Sequence, residues 1–88
     1  MTDIALLEEL ERISSEVGLR VSYESLVNSV GLGGLCKVKG EYRLIIDKRA
    51  ELSERITMLS KALGRFDTHK VEMSEDARRA IGPLTQAA

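Results

Sequence analysis

The sequence has little of the material from which small proteins build disulfide, metal or base-stacking sites. Its 88 residues include one cysteine, one histidine, one proline, two tyrosines, one phenylalanine and no tryptophan. A single cysteine excludes an intramolecular disulfide framework and any zinc site made of several cysteines. One histidine without a second is also poor material for a transition-metal site. We therefore expect neither a metal nor another cofactor.

Long apolar runs and a strong charge of one sign are also missing. The formal net charge is −1, so global charge does not indicate binding to nucleic acid or to a membrane. No apolar run approaches the ~20 residues that span a bilayer, and no charged-then-apolar leader opens the chain. The sequence predicts a soluble, cytoplasmic protein.

The charges that are present are distributed unevenly. Residues 1–32 have a net charge of −4 and residues 33–88 a net charge of +3. This asymmetry favours pairing between an acidic first helix and a basic hairpin, within one chain or between two. Because small domains bury a smaller share of their surface than large ones, we also expect a homodimer.

The stretch Gly33–Asp47 has the alternation of a β-hairpin. Its first strand alternates Cys36 and Val38 with two lysines. The apolar faces of the two strands coincide only if an odd number of residues closes the turn, so we predict a three-residue loop that contains Gly40. This register places the cysteine and the valine in the core. It places three basic residues on the outer face: Lys37, Lys39 and Arg43.

An amphipathic helix follows the hairpin. Its apolar residues are spaced by four, three, four and three positions, which is one face of a helix: Leu52, Ile56, Leu59, Leu63 and Phe66. Ser53 is the predicted N-cap, and Gly64 is the predicted end of the helix. We expect Leu59 to pack on the hairpin beside Val38 and Leu44.

Further elements flank this central unit. The sequence predicts a helix over residues 3–17, capped by Thr2 or Asp3, then a strand over 19–24. An edge strand is predicted over 70–73, and Ser74 begins a short last helix. The result is one α+β domain over residues 1–83, with a frayed tail at 84–88. Its small antiparallel sheet, the hairpin plus one or two short strands, packs against two main helices, with a short C-terminal helix beside them.

Three candidate sites have a structural alternative. Residues 31–34, Gly-Leu-Gly-Gly, form either a phosphate cradle or a tight turn; the turn is favoured because a strand follows and no Lys-Ser/Thr pair is present. Cys36 is a nucleophile or a buried apolar residue, and the predicted register favours burial because the cations lie on the other face. His69 lies in a polar turn near Asp67 and is interpreted as a surface residue.

The most concentrated charge is basic and lies in and after the hairpin: Lys37, Lys39, Arg43, Lys48 and Arg49. Such residues can follow the phosphates of a nucleic acid. Sheets that bind nucleic acids usually add stacking aromatic residues, and here only Tyr42 is near. A solvated or acid-pairing face is the alternative interpretation.

Two resemblances concern the central unit. Residues 33–40 read Gly-Gly-Leu-Cys-Lys-Val-Lys-Gly. This run is similar to the Gly-Gly-Leu/Ile-Cys-x-Val-x-Gly hairpin of short bacterial proteins of unknown function, and the similarity extends over about residues 19–81. It implies no activity.

The second resemblance is to the minimal core of the HExxH zinc peptidases (zincins), especially the bacterial kind that acts on repressors. Their active helix has the run Leu-Ala-His-Glu-Leu-Gly-His, and Leu59–Arg65 agrees at two leucines and a glycine. Lys61 and Arg65 stand where the metal-binding histidines would be, and Ala62 stands where the general base would be. Because two cations and a methyl group cannot replace these groups, the resemblance implies a zincin-like scaffold without metal or peptidase activity.

Two functions stay open. The first is a non-catalytic interaction or regulatory module that self-associates through the acidic helix or the basic hairpin face. The second is a nucleic-acid accessory protein that uses the five basic residues named above. An enzyme that depends on Cys36 is a third hypothesis, and no catalytic, metal or cofactor residue is assigned.

Overall fold

The computed structural model describes residues 1–26 and 33–83, which form three helices and one three-stranded sheet. The elements, in chain order, are α1 (Asp3–Val17), β1 (Arg20–Glu24), β2 (Gly33–Val38), β3 (Glu41–Asp47), α2 (Leu52–Leu63) and α3 (Glu75–Ile81). This arrangement confirms the predicted α+β class. Predictions for residues 27–32, including half of the glycine-rich run, and for the tail at 84–88 lie outside the described residues.

Helix α1 has the predicted bounds because both of its ends have strong local signals. The Thr2 hydroxyl accepts a hydrogen bond from the Ala5 amide and caps the first turn. Gly18 ends the helix in the left-handed conformation, with φ of 83°. Leu10 and Ile13 have no exposed surface.

The sheet has the strand order β1-β3-β2 and is mixed, whereas a wholly antiparallel sheet was predicted. β2 and β3 form the antiparallel hairpin, and β1 pairs with β3 in parallel, from Arg20 opposite Arg43 to Glu24 opposite Asp47. Alternation within β1 shows that it is a strand but contains no information on its partner or direction. A tight turn joins β2 to β3, so these two strands pair with each other. The other edge of β3 is then the one with which β1 pairs.

The hairpin closes through two residues, Lys39 and Gly40, so the predicted three-residue loop is wrong. Both residues have positive φ, 52° and 81°, as a type I′ turn requires. A type I′ turn matches the right-handed twist of the two strands. The turn therefore sets the register of the hairpin, although this leaves two apolar residues of β2 on the wrong face for the predicted core. The resulting register places Leu35 opposite Leu44 and Cys36 opposite Arg43.

The core lies between the three helices and one face of the sheet. Its buried apolar residues come from all three helices, from β3 and from two connections: Leu10, Ile13, Leu19, Leu44, Ile46, Ala50, Leu59, Ala62, Leu63, Ala77 and Ile81. Leu59 and Leu63 are fully buried, as the apolar spacing of the helix predicts. Val38 lies on the face of the sheet away from the helices and is 43% exposed, so the predicted packing beside Leu59 is wrong.

The ends of α2 differ in detail from the prediction. Glu51, and not Ser53, is the N-cap, and it forms a reciprocal capping box with Glu54. Gly64 ends the helix as predicted, although it keeps right-handed dihedral angles. Beyond it, the ring of Phe66 packs edge-on against Tyr42, with ring centroids 5.3 Å apart.

The predicted edge strand at 70–73 is an irregular segment. The Arg78 guanidinium donates hydrogen bonds to the carbonyl oxygens of Thr68 (3.1 Å) and Val71 (2.9 Å). A side chain therefore satisfies backbone groups that a neighbouring strand would otherwise pair. Ser74 caps α3 as predicted, accepting from the Ala77 amide.

Within residues 1–26 and 33–83, none of the helices is both long enough and apolar enough to cross a membrane.

Candidate interaction site

One face of the sheet points away from the helices, and we name it the open face. Strand alternation and the observed register place ten residues on it: Arg20, Ser22, Glu24, Gly34, Cys36, Val38, Glu41, Arg43, Ile45 and Asp47. Nine of the ten are exposed or half-buried, and Asp47, at the end of β3, is buried. Apart from the end of β3 at Asp47, the open face is thus a surface that the described part of the chain leaves uncovered.

The open face combines apolar residues with charges of both signs. Val38 is 43% exposed, and Cys36 and Ile45, farther from the turn, are half-buried. The Glu41 carboxylate lies between two cations, 3.1 Å from Nε of Arg20 and 3.7 Å from a terminal nitrogen of Arg43. A surface with this composition can contact another chain through its apolar residues and its charges.

Cys36 belongs to this face and not to the core, which corrects the sequence prediction. The two-residue turn shifts β2 so that Leu35, and not Cys36, lies with Leu44 on the helix side. Cys36 is half-buried and lies opposite Arg43. Lys37 exchanges places with it and lies on the helix side, with its Nζ 5.0 Å from the centre of the Tyr42 ring.

The five basic residues considered for nucleic-acid binding lie on different surfaces. Lys37 is on the helix side, Lys39 is in the turn, and Arg43 is on the open face. Lys48 and Arg49 follow the other end of β3, about 20 Å from the turn at the usual rise per residue. The structure therefore does not gather these residues into one basic surface.

A groove runs between the β2 edge of the sheet and α2, and we name it the edge groove. It has a volume of about 250 Å³ and eight lining residues: Gly33, Gly34, Leu35, Leu44, Met58, Lys61, Ala62 and Arg65. Its apolar floor comes from Leu35, Leu44 and Met58, which pack in or against the core.

The edge groove contains the three positions that the zincin resemblance singles out. Lys61, Ala62 and Arg65 line it from the α2 side. Lys61 and Arg65 are exposed, and neither takes part in an ion pair within the described ranges 1–26 and 33–83. Sequence reasoning identified these positions but not their neighbours Gly33 and Gly34, because strand and helix meet only through tertiary packing.

The end of β3 contains an ion pair between a buried carboxylate and an exposed arginine, which the sequence reasoning missed. Asp47 is fully buried, and its carboxylate accepts hydrogen bonds from the amide (2.9 Å) and from Nε (2.9 Å) of Arg49. These hydrogen bonds, with a further one from the Leu26 amide, lower the pKa of Asp47 to about 2. Arg49, counted above as a basic residue for nucleic acid, therefore holds the end of the sheet together.

The Asp47 pair predicts a pH dependence of stability. Its folded pKa is lower than its value in the unfolded chain, so the pair stabilises the fold above that unfolded value. This contribution is lost as the pH falls from about 4 towards about 2. We expect parent and Asp47→Asn to differ most in unfolding free energy near neutral pH, and this difference to shrink through that window. Urea unfolding of both proteins over the acidic range measures this, and a difference independent of pH would contradict it.

Other polar contacts join the elements of the fold. The Tyr23 hydroxyl donates to the Glu11 carboxylate of α1, while the Arg55 guanidinium of α2 lies 4.8 Å from the centre of the Tyr23 ring. Burial and the Glu11 hydrogen bond raise the pKa of Tyr23 far above its usual range. These contacts connect β1 to both main helices, and this makes a structural role their simplest interpretation.

The histidine lies in an exposed turn. Nδ1 of His69 is 2.7 Å from a carboxylate oxygen of Asp67, and both side chains are mostly exposed. Hydrogen bonds from this histidine lower the pKa of Asp67. Among the residues that the structure describes, no group of three or more His, Cys, Asp or Glu side chains could hold a metal ion.

No protein-family model, curated protein or solved structure matches this chain.

Proposed function

We propose that this protein is a non-catalytic interaction module that self-associates through the open face of its sheet. The observation that supports this proposal is the composition of that face. Its apolar residues Cys36, Val38 and Ile45 lie beside charges of both signs. Because each copy has both a cation and an anion there, two identical faces can pair about a two-fold axis with opposite charges in contact.

The small core supports the same proposal. Eleven buried apolar residues form it in the described part of the chain, and three of them are alanines. A core of this size gives a single copy a modest margin of stability. A partner that binds only the folded chain adds to this margin by mass action.

The absence of a catalytic role is also proposed, and it rests on residue chemistry. The zinc peptidases that this chain resembles perform hydrolysis through two imidazoles and a carboxylate on their active helix. Here Lys61, Ala62 and Arg65 occupy these positions and line the edge groove. Cations on a groove can bind an anionic partner but cannot hold zinc or activate water.

Self-association can be tested by sedimentation equilibrium over a roughly hundredfold range of protein concentration. We expect the parent protein to shift from monomer to dimer within this range. Val38→Glu places a charge at the most exposed apolar residue of the open face, at the turn end of β2, and we expect it to weaken the dimer by roughly tenfold or more.

Ile4→Glu is the matched control. Ile4 is also an exposed apolar residue, 63% accessible, but it lies on α1, away from the open face. Ile4→Glu introduces the same charge outside the proposed interface, so this variant should leave the dimer unchanged. A parent protein that stays monomeric, or an equal loss in both variants, would refute the proposed interface.

A further inference from the structure

We propose that the free edge of β2 and the edge groove beside it bind an acidic peptide in extended conformation, which adds to the sheet as a fourth strand. This inference concerns a second surface and does not depend on self-association through the open face. It rests on three observations: the β2 edge with which no described strand pairs, the two glycines at its start, and the two cations at and just beyond the end of α2 that line the same groove.

The hairpin register identifies the backbone groups that are free to pair. Residues that flank a two-residue turn form a hydrogen-bonded pair, and such pairs alternate along an antiparallel ladder. Val38, Cys36 and Gly34 therefore direct their amide and carbonyl groups towards β3. The groups of Lys37 and Leu35 point to the opposite side, where β2 has no neighbouring strand in the described part of the chain.

The start of β2 leaves room for another backbone. Gly33 and Gly34 lack side chains and line the edge groove. An incoming strand can therefore approach this edge closely. The groove, at about 250 Å³, is smaller than the roughly 300–1,000 Å³ typical of small-molecule and cofactor pockets. Its size suits a few side chains of a peptide that lies along the edge.

The charge of the groove specifies the kind of peptide. Lys61, in the last turn of α2, and Arg65, two residues beyond the end of the helix, both line the edge groove. In the described ranges neither has an acidic partner. Alternate side chains of an added strand point to the helix side of the sheet, where carboxylates reach these cations. Backbone pairing thus provides the attachment, and the two cations select acidic sequences.

Binding is tested with two labelled hexapeptides, acetylated and amidated at their ends. One alternates valine with glutamate, and the other alternates valine with lysine. Fluorescence anisotropy should give the acidic peptide a Kd on the order of 10 μM, with binding of the lysine peptide at least roughly tenfold weaker. No binding of the acidic peptide at about 1 mM, or equal binding of both peptides, would overturn the proposal.

Strand addition is tested separately with N-methylated forms of the acidic peptide. A strand directs the amides of alternate residues to opposite edges. Methylation of one alternate set should therefore abolish binding, while methylation of the other set should leave it unchanged. If neither set matters, the peptide does not bind by strand addition and the proposal is wrong.

The double variant Lys61→Glu/Arg65→Glu tests the cations. It should bind the acidic peptide at least roughly tenfold more weakly and should gain affinity for the lysine peptide. Lys48→Glu/Lys70→Glu makes the same change in net charge at exposed positions outside the groove, and it should bind as the parent does. If the control variant loses binding as strongly as the groove variant, the peptide is attracted by the overall charge of the protein, and the proposed role of Lys61 and Arg65 is wrong.

The Val38→Glu variant separates this proposal from self-association. Its side chain points to the open face and not to the groove, but it lies on the strand that pairs with the peptide. The uncharged Val38→Ser is therefore used beside it, and a monomeric Val38→Ser protein should still bind the acidic peptide. If the peptide instead dissociates the dimer of the parent protein, the dimer uses the β2 edge. The open-face interface would then be wrong while the peptide site stands.

Discussion

The Gly33→Ala variant should lose about 3 kcal/mol or more of unfolding free energy, because two separate penalties act at this position. Gly33 has φ of 119°, a conformation that residues with a side chain rarely adopt. A Cβ atom there would also lie 1.9 Å from the carbonyl oxygen of Ile45 in the neighbouring strand. Because this obstacle is backbone of the central strand, β2 must move away from β3. Urea unfolding measures the loss.

Gly34→Ala is the control for this prediction. Gly34 has no heavy atom within 4 Å of its hypothetical Cβ and no positive φ. The substitution should change the unfolding free energy by less than about 1 kcal/mol, since alanine is compatible with an extended conformation. Equal losses in the two variants would show that the close approach of Gly33 to β3 is wrong.

The Leu59→Ala variant should lose about 2–5 kcal/mol, from the lost transfer free energy of the side chain plus the cavity that it leaves. Leu59 has no exposed surface and lies in the middle of α2. A domain of this size has only about 5 kcal/mol or somewhat more to lose. The variant should therefore be largely unfolded at low concentration and more folded at high concentration if the dimer forms. Thermal melts over a range of protein concentrations measure both effects.

Lys61→Ala is the matched control on the same helix. Lys61 is exposed and lies off the apolar stripe, and alanine is a strong helix former. Its melting temperature should stay close to that of the parent. If Lys61→Ala unfolds while Leu59→Ala melts like the parent, the buried face of α2 is assigned to the wrong side.

The helices could be predicted because their signals are local. The Thr2 cap, the Gly18 terminator and the apolar spacing between them define α1 without reference to the rest of the chain. The same holds for α3, which Ser74 begins. Glu51 was missed because a glutamate N-cap is less common than a serine, and the adjacent Ser53 offered the more usual signal.

The faces of β2 could not be predicted from alternation, because the turn decides the register. Lys39 with positive φ has no sequence signal comparable to that of Gly40. An error of one residue in the turn moved Cys36 from the open face to the core and Lys37 in the opposite direction. The residues of β2 that lie on the open face, on which the proposed dimer depends, could therefore not be predicted from the sequence.

The edge groove was only half predictable. The proposed resemblance to a zincin helix drew attention to three positions at the end of α2 and just after it: Lys61, Ala62 and Arg65. It did not place them next to Gly33 and Gly34, because that neighbourhood depends on how α2 packs against the hairpin. Asp47 was missed for a similar reason, since its burial depends on the parallel pairing of β3 with β1.

The parallel pairing of β1 with β3 has a consequence for the order in which the sheet forms. The hairpin of β2 and β3 is closed by two residues, so its ladder involves only local contacts and can form in about 1–10 μs. β1 pairs with β3, for example Arg20 with Arg43, although the whole of β2 lies between these two strands in the sequence. That contact requires closure of a longer loop before any hydrogen bond is gained. We therefore expect β1 to dock last, onto a hairpin that already exists. Ribosomal synthesis leads to the same order, since β1 emerges first and must wait for β3.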